Sequence, residues 1–153
     1  MTRTDESLQS KVALIAEECI AVSLRLLTRA VTKIYNHALR PHGLTVGQMN
    51  ILVAVSCLKE AKQQDVCRVL HLDRSTLSRD IERLHAYGWL SRRTGVDGRT
   101  NLLRLTRKGT ATLQKSIPAW EAAQAEAIKL LGKEHIAKLD RSAQVLRSMT
   151  ARR

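Results

Sequence analysis

The longest stretch without glycine or proline places the first constraint on the fold. Residues 10–40 contain neither residue type, so nothing in them favours a turn. Their apolar residues recur at helical spacings: Val12, Ile15, Cys19, Leu26, Ala30, Ile34 and Ala38. The pattern predicts one amphipathic helix, roughly 45 Å long at about 1.5 Å per residue. One small core does not need so long a helix, so we expect part of its apolar stripe to contact a second copy of the chain.

Three shorter helices follow, and the residues at their ends mark them. Thr45 and Gln48 have the capping-box spacing, in which a hydroxyl and an amide bind the first free N–H groups of a helix. Asp73 is a favourable N-cap, and Gly88 suits the left-handed residue that closes a helix. The predicted helical ranges are 46–59, 63–70 and 74–87. The short connection between the last two is typical of a helix-turn-helix.

The rest of the chain predicts a hairpin and two more helices. Residues 89–94 and 101–105 favour strands and flank a glycine-containing turn. From Thr106 onward the pattern is helical again, with a break at Gly132. Pro118 is expected to kink or interrupt the first of these two helices.

Together these elements predict a mostly α-helical protein with a small β-hairpin wing. We expect a winged helix-turn-helix lobe at residues 44–106 between helical segments at 10–40 and 107–150, preceded by a flexible tail at 1–9. The total of 153 residues fits one compact domain.

The charge balance indicates the kind of partner. The chain has 26 Lys and Arg residues against 14 Asp and Glu residues, which gives a net charge of +12. Residues 62–108, which include the second helix of the pair and the hairpin, hold eleven of the basic residues and five of the acids. A surplus of this size favours a polyanionic partner, most commonly nucleic acid.

Other classes of protein are disfavoured. The first ten residues contain two acids and no apolar run, so we expect no signal peptide and a cytoplasmic location. The longest uncharged apolar stretch, 49–58, is about half of a bilayer span, so we expect no membrane contact. Three cysteines are too few for a disulfide framework. No catalytic or cofactor-binding motif is recognisable, so neither an enzyme nor a cofactor is expected. The pairs Cys67 with His71 and His37 with His42 offer too few ligands for a metal.

Helix 74–87 carries the side chains that we expect to bind DNA. Leu77, Ile81 and Leu84 should face the core. The residues left outside are Arg74, Ser75, Thr76, Ser78, Arg79 and Arg83. Hydroxyl groups bind phosphates or base edges, and arginine binds guanine through two hydrogen bonds. The alternative interpretation is an ordinary solvated helix face.

The hairpin adds a second basic element. It carries Arg92, Arg93 and Arg99, with Arg104 on its second strand. A basic tip of this kind can enter the minor groove, where a narrow groove attracts arginine. The two elements together predict a bipartite DNA-binding surface.

A series of short motifs resembles a known family. Helix 74–87 ends in Ala86-Tyr87-Gly88-Trp89-Leu90, and Arg92-Arg93, Asp97-Gly98-Arg99 and Leu105-Thr106-Arg107-Lys108-Gly109 follow. With Gly43-Leu44-Thr45 before the second helix, the series is similar to the multiple antibiotic resistance regulator (MarR) family, and the similarity spans about residues 10–150. The resemblance implies a homodimeric transcription factor whose first and last helices form the dimer and whose two winged lobes bind a palindromic operator on double-stranded DNA.

The resemblance also implies roles for individual residues. Ser75, Thr76, Ser78 and Arg79 match the major-groove helix of the family, and Arg99 matches its minor-groove arginine. Asp97 matches an acid that braces arginine side chains. Family members often repress transcription and release DNA when they bind a small phenolic or lipophilic effector or when a cysteine is oxidised. We expect a pocket for such an effector near Leu27, Tyr35, Met49 and Trp120.

Three other functions stay open at this point. A nonspecific architectural DNA-binding protein would also use the net charge of +12. A redox-sensing regulator would act through Cys19, although cysteine is also a common small core residue. A helical interaction module or enzyme subunit would have no DNA affinity at physiological salt.

Overall fold

The computed structural model describes residues 3–58, 61–95 and 101–150. Within those ranges the helices are α1 Arg3–Glu18, α2 Ile20–Leu39, α3 Val46–Cys57, α4 Gln63–Leu70, α5 Arg74–Ala86, α6 Arg107–Leu131 and α7 Lys133–Thr150, and the strands are β1 Ala61–Lys62, β2 Leu90–Thr94 and β3 Asn101–Leu105. A short 3-10 turn, Arg40–His42, joins α2 to the loop before α3. The predicted fold class, mostly helical with a small hairpin wing, is confirmed.

The N-terminal region differs from its prediction in two ways. Instead of one helix over residues 10–40 there are two, because the backbone at Cys19 is extended, with φ −68° and ψ 107°. A single extended residue leaves the apolar spacing on either side almost unchanged, so periodicity does not detect it. The helix also begins at Arg3, so residues 3–9 are helical where the sequence predicted a flexible tail.

Helix α3 lies in the middle of the core, and its start is fixed by two neighbours. The Thr45 hydroxyl accepts from the Gln48 N–H at 3.2 Å, and the Gln48 amide oxygen accepts from the Thr45 N–H at 3.0 Å, which confirms the predicted capping box. The Asn36 side-chain oxygen accepts from the Val46 N–H at 2.8 Å, so α2 is tied to the start of α3. α3 is apolar on most sides, as expected of a buried central helix.

The sheet has three antiparallel strands in the order β1-β3-β2. The predicted hairpin is present, with Leu90 opposite Leu105 and Thr94 opposite Asn101. β1 was not predicted, since two residues give no alternation that a sequence pattern could show. Its pairing of Ala61 with Leu103 covers the open edge of β3 and fixes the loop before α4 to the sheet.

The core of the winged lobe draws on α3, α4, α5 and the three strands, with one residue from the end of α2. Its buried apolar residues are Leu39, Leu44, Met49, Ile51, Leu52, Ala54, Val55, Ala61, Val66, Leu77, Ile81, Leu84, Trp89, Leu90 and Leu103. At roughly 1.5–3 kcal/mol for each large apolar side chain removed from water, this cluster is the main source of the lobe's stability. Both helices of the helix-turn-helix and both strands of the hairpin are therefore held on one rigid body.

The joint between the hairpin and α6 explains the Leu-Thr-x-x-Gly motif. The Thr106 hydroxyl donates to the Gly88 carbonyl at 2.6 Å and accepts from the Gly109 N–H at 3.0 Å. Gly109 packs so closely on the lobe that a Cβ atom there would lie 2.1 Å from the carbonyl oxygen of Trp89. Only glycine permits this approach, and it sets the direction in which α6 leaves the lobe.

Helix α6 runs through Pro118 without a break, so the predicted interruption is wrong. Pro118 cannot donate to the Gln114 carbonyl, but both residues are exposed and water can take that position. α6 packs along α2, where the Tyr35 hydroxyl donates to the Gln124 side-chain oxygen. Burial raises the pKa of Tyr35 above its usual value, which keeps it a donor.

Of the described helices, none is long and apolar enough to cross a membrane.

Candidate nucleic-acid interface

The turn between α4 and α5 sets the position of α5, the helix predicted to bind DNA. His71 closes α4 in the left-handed conformation, with φ 52° and ψ 40°, and Asp73 then caps α5. Two residues after the end of α4 suffice to reach that cap, so the two helices form a compact helix-turn-helix. The prediction of this motif at residues 63–87 agrees with the observed elements.

Helix α5 turns its apolar side to the core and leaves a polar side to solvent. Leu77 and Leu84 are 0% exposed and Ile81 is 1% exposed. Among the predicted DNA-binding residues of this helix, Arg74, Ser75, Thr76, Arg79 and Arg83 are exposed, whereas Ser78 is half-buried. The exposed side has cations at 74, 79 and 83 and two hydroxyl groups at its start. We call this surface, residues 74, 75, 76, 79 and 83, the α5 polar face.

Asp73 organises the start of the α5 polar face. One carboxylate oxygen accepts from the Ser75 hydroxyl at 2.6 Å and from the Thr76 N–H at 2.8 Å, and the other accepts from the Thr76 hydroxyl at 2.6 Å. The hydrogen bonds from Ser75 and Thr76 hold the pKa of the Asp73 carboxyl well below its usual value. Asp73 is exposed to solvent and is charged at neutral pH.

The hairpin wing is connected to α5 by an ion pair. Arg92 on β2 donates to the carboxylate of Glu82 on α5, and this contact lowers the pKa of Glu82. Arg93, the next residue, is exposed. Arg92 was predicted to bind DNA, and its observed partner gives it a second role in holding the wing against α5. Asp97 and Arg99 lie outside the described residues.

The structure shows functional contacts that the sequence reasoning missed. Asp73 was recognised as a cap, but its bonds to the two hydroxyl groups were not. The spacing Asp-x-Ser-Thr is the signal for them, since an N-cap carboxylate reaches the second and third residues after it. Glu82 and Arg92 are ten positions apart on different elements, and no local pattern identifies such a pair. Elsewhere on α5, the exposed Arg83 lies 3.7 Å from the half-buried Asp80 in an ion pair.

Comparison with known proteins agrees with this geometry. Residues 42–100 match the MarR family. An uncharacterised HTH-type transcriptional regulator, YwoH of Bacillus subtilis, is 32% identical over 80 residues, which is 52% of this chain and 58% of the relative. The chain thus spans less than two thirds of the length of that relative.

Solved structures cover more of the chain. The transcriptional regulator MosR of M. tuberculosis, in complex with DNA, is 32% identical, covers 85% of this chain and 99% of its own, and superposes with a TM-score of 0.70. A cysteine-to-serine variant of MarR from E. coli, complexed with operator DNA, is 21% identical, covers 87% of this chain and 96% of its own, and has a TM-score of 0.77. At 21% identity, the similarity to MarR of E. coli shows a shared fold alone. At 32% identity, the similarity to MosR also shows that the two proteins are related. The chain belongs to the MarR family of winged helix-turn-helix transcriptional regulators.

Proposed function

We propose that the protein is a homodimeric, sequence-specific DNA-binding repressor that acts in the cytoplasm and is released from its operator by a small-molecule effector. The single observation that carries the DNA-binding part is the α5 polar face, which is exposed along one side of a helix whose other side is buried. The MosR structure in complex with DNA supports it, because that relative has the same fold and 32% identity.

The two basic elements, α5 and the hairpin wing, are proposed to bind different parts of the DNA. In the proposed complex, the exposed arginines of α5 bind guanine edges or phosphates in the major groove. Arg93 and Arg99 of the wing bind phosphates or the minor groove, and Asp97 braces an arginine beside it. Ser78 is half-buried, so we assign it a supporting position behind the α5 polar face.

The outer helices support the proposed homodimer. Large apolar side chains are exposed along them: Leu8, Val12, Leu14 and Ile15 on α1, Ile20, Val22, Leu24, Leu26 and Leu27 on α2, and Leu139, Val145, Leu146 and Met149 on α7. So many exposed large apolar side chains are typical of a protein interface. A second copy of the chain would cover it and bring two α5 helices into successive major grooves of a palindrome.

A cavity beside α2 is the candidate effector site. It has a volume of about 950 Å³ and lies between α2 and α6. Leu26, Ala30, Ile34 and Leu130 provide its apolar wall, and Arg29, Lys33, His37 and Arg40 provide polar or cationic groups against the single acid Glu126. None of the four residues expected to surround the pocket, Leu27, Tyr35, Met49 and Trp120, lines this cavity. Its chemistry suits a small amphipathic anion.

Selection of bound sites from a random duplex pool at about 150 mM salt tests the proposed function. We expect an enriched inverted repeat with half-sites about one helical turn apart. Bound DNA without an enriched motif would favour the architectural alternative, in which the best site is less than about tenfold better than random DNA. Absence of bound DNA would contradict both.

Single substitutions test which surfaces of the protein bind DNA. Arg79→Ala should weaken operator binding by at least about tenfold, whereas Arg141→Ala, which removes an exposed arginine from α7, serves as the charge-matched control. Arg99→Ala should weaken binding to all DNA and reduce the salt dependence by about one charge. Equal affinity for the wild type and the Arg79 variant would show that the α5 polar face does not bind DNA.

A further inference from the structure

We propose that Asp73 is a specificity-determining positioning residue: it fixes the Ser75 and Thr76 hydroxyl groups as hydrogen-bond acceptors, so that this part of the recognition surface selects bases that present an amino donor. The inference rests on the proposed DNA-binding function of the α5 polar face. It concerns which bases that face prefers, and it follows from the direction of three hydrogen bonds.

Each hydroxyl group has one proton and two lone pairs, and an ionised carboxylate can only accept. Ser75 and Thr76 therefore both donate their protons to Asp73, at 2.6 Å in each case. What remains available on the two oxygens, which belong to exposed residues, is lone pairs. An outside group can approach them only as a donor.

In the major groove, the donors are the amino groups of adenine and cytosine, whereas guanine and thymine present acceptors at the corresponding edge. DNA phosphates also present only acceptors. The Asp73 carboxylate itself repels phosphate, and it already occupies the Thr76 N–H at 2.8 Å, one of the groups by which a helix start would hold a phosphate. The start of α5 is thus matched to an adenine or cytosine edge rather than to the DNA backbone.

The charged state of Asp73 is essential to this arrangement. A protonated carboxyl would itself donate and would release one hydroxyl proton. The two hydroxyl contacts that orient Ser75 and Thr76 also hold the pKa of Asp73 well below its usual range, so the acceptor state persists throughout the neutral pH range.

Asp73→Asn is the sharpest test because it changes polarity at constant shape. Asparagine is as good an N-cap as aspartate, so α5 should keep its start. Its one oxygen can still accept, but its amide nitrogen donates, and the hydroxyl facing that nitrogen must become the acceptor and turn its proton outward. That hydroxyl can then donate to a base that presents an acceptor, which is guanine or thymine.

The measurement is the base preference at each operator position, read from pool selections with wild type, Asp73→Asn and a Ser75→Ala/Thr76→Val double variant. The double variant identifies the positions that the hydroxyls contact, since these lose their preference. At those positions we expect the wild type to prefer adenine or cytosine by at least about fivefold. Asp73→Asn should shift at least one of them toward guanine or thymine and leave the other operator positions unchanged.

Asp65→Asn is the matched control. It removes the same charge from α4, where Asp65 pairs with Arg68 at 3.3 Å and, among the described residues, bonds no hydroxyl. It should raise the affinity for all sequences slightly without changing any base preference. An identical change of preference in this control would show that charge, and not hydroxyl orientation, is responsible.

The outcomes separate this inference from the proposed function. A wild-type motif that Asp73→Asn leaves unchanged, or a preference for guanine or thymine at the hydroxyl positions, would overturn the inference alone. If the wild type enriched no motif, the proposed sequence-specific function would fail as well. Should Asp73→Asn unfold, the double variant still decides, because loss of an adenine or cytosine preference supports the inference and loss of a guanine or thymine preference refutes it.

Discussion

The winged lobe and the outer helices solve the problem of burying apolar surface in different ways. In the lobe, Leu77, Leu84 and Ile51 are 0% exposed, and the helices and strands pack against one another. On the outer helices, Ile15 is 64%, Ile20 74% and Leu26 68% exposed. None of the described side chains of α1 and α7 is buried. The same residue types thus serve an internal core in one region and an open surface in the other.

This difference locates the stability of the single chain. The helices and strands of the lobe share one hydrophobic cluster, which Leu39 at the end of α2 also joins. Helices α1 and α7 have little tertiary packing within the single chain, and most helical stability in proteins comes from packing of an apolar face. Their order should therefore depend on association, and the protein concentration should affect the two regions differently.

The largest effect should come from a cavity in the lobe. Leu84→Ala removes a fully buried side chain and should lower the free energy of unfolding by about 4 kcal/mol, from lost transfer energy plus the cavity. Urea denaturation followed by circular dichroism measures it. A loss below about 1 kcal/mol would mean that the lobe core is not the closed unit described above.

The next largest effect should come from the joint between the two regions. A Cβ on residue 109 would meet the Trp89 carbonyl oxygen at 2.1 Å, so Gly109→Ala must displace backbone and should cost about 3 kcal/mol. Gly47→Ala is the control. Its Cβ would meet only the Thr45 hydroxyl, at 3.9 Å, and in a helix this change should be neutral or slightly stabilising. Thermal unfolding of both variants makes the comparison, and equal melting temperatures would contradict it.

The helix ends and the polar side of α5 could be predicted from the sequence, because they depend on residues close together in the chain. The caps Thr45, Asp73 and Thr106 and the closing Gly88 act on neighbouring residues, so their spacing predicts the helix ends. The polar side of α5 was likewise predicted because Leu77, Ile81 and Leu84 repeat at the helical period.

What could not be predicted depends on contacts between distant residues. β1 exists only because Ala61 pairs with Leu103, and the Glu82–Arg92 pair joins a helix to a strand. The extended backbone at Cys19 leaves no trace in the apolar spacing. The proposed effector cavity was expected around Tyr35, but that side chain is instead bonded to Gln124.

The third effect concerns association rather than folding. Ile15→Ala on α1 shortens a side chain that is 64% exposed in the single chain. If a second copy covers it, the dissociation constant of the dimer should rise by about tenfold, which corresponds to about 1.4 kcal/mol. Lys11→Ala on the same helix should leave it within about twofold. Sedimentation velocity across a dilution series measures both, and an unchanged constant for Ile15→Ala would remove α1 from the proposed interface.

The smallest effect tests whether the two regions unfold together. Thr106→Ala removes the hydroxyl that accepts from Gly109 and donates to Gly88, and loss of such a cap costs about 1 kcal/mol. Thr106→Ser keeps both bonds and should restore most of the loss. Because these bonds join the first turn of α6 to the lobe, amide hydrogen exchange should accelerate at the start of α6 in the alanine variant. If exchange instead rose equally along α2, α6 and the lobe, the joint would belong to one cooperative unit, and the two regions would not be separable at Thr106.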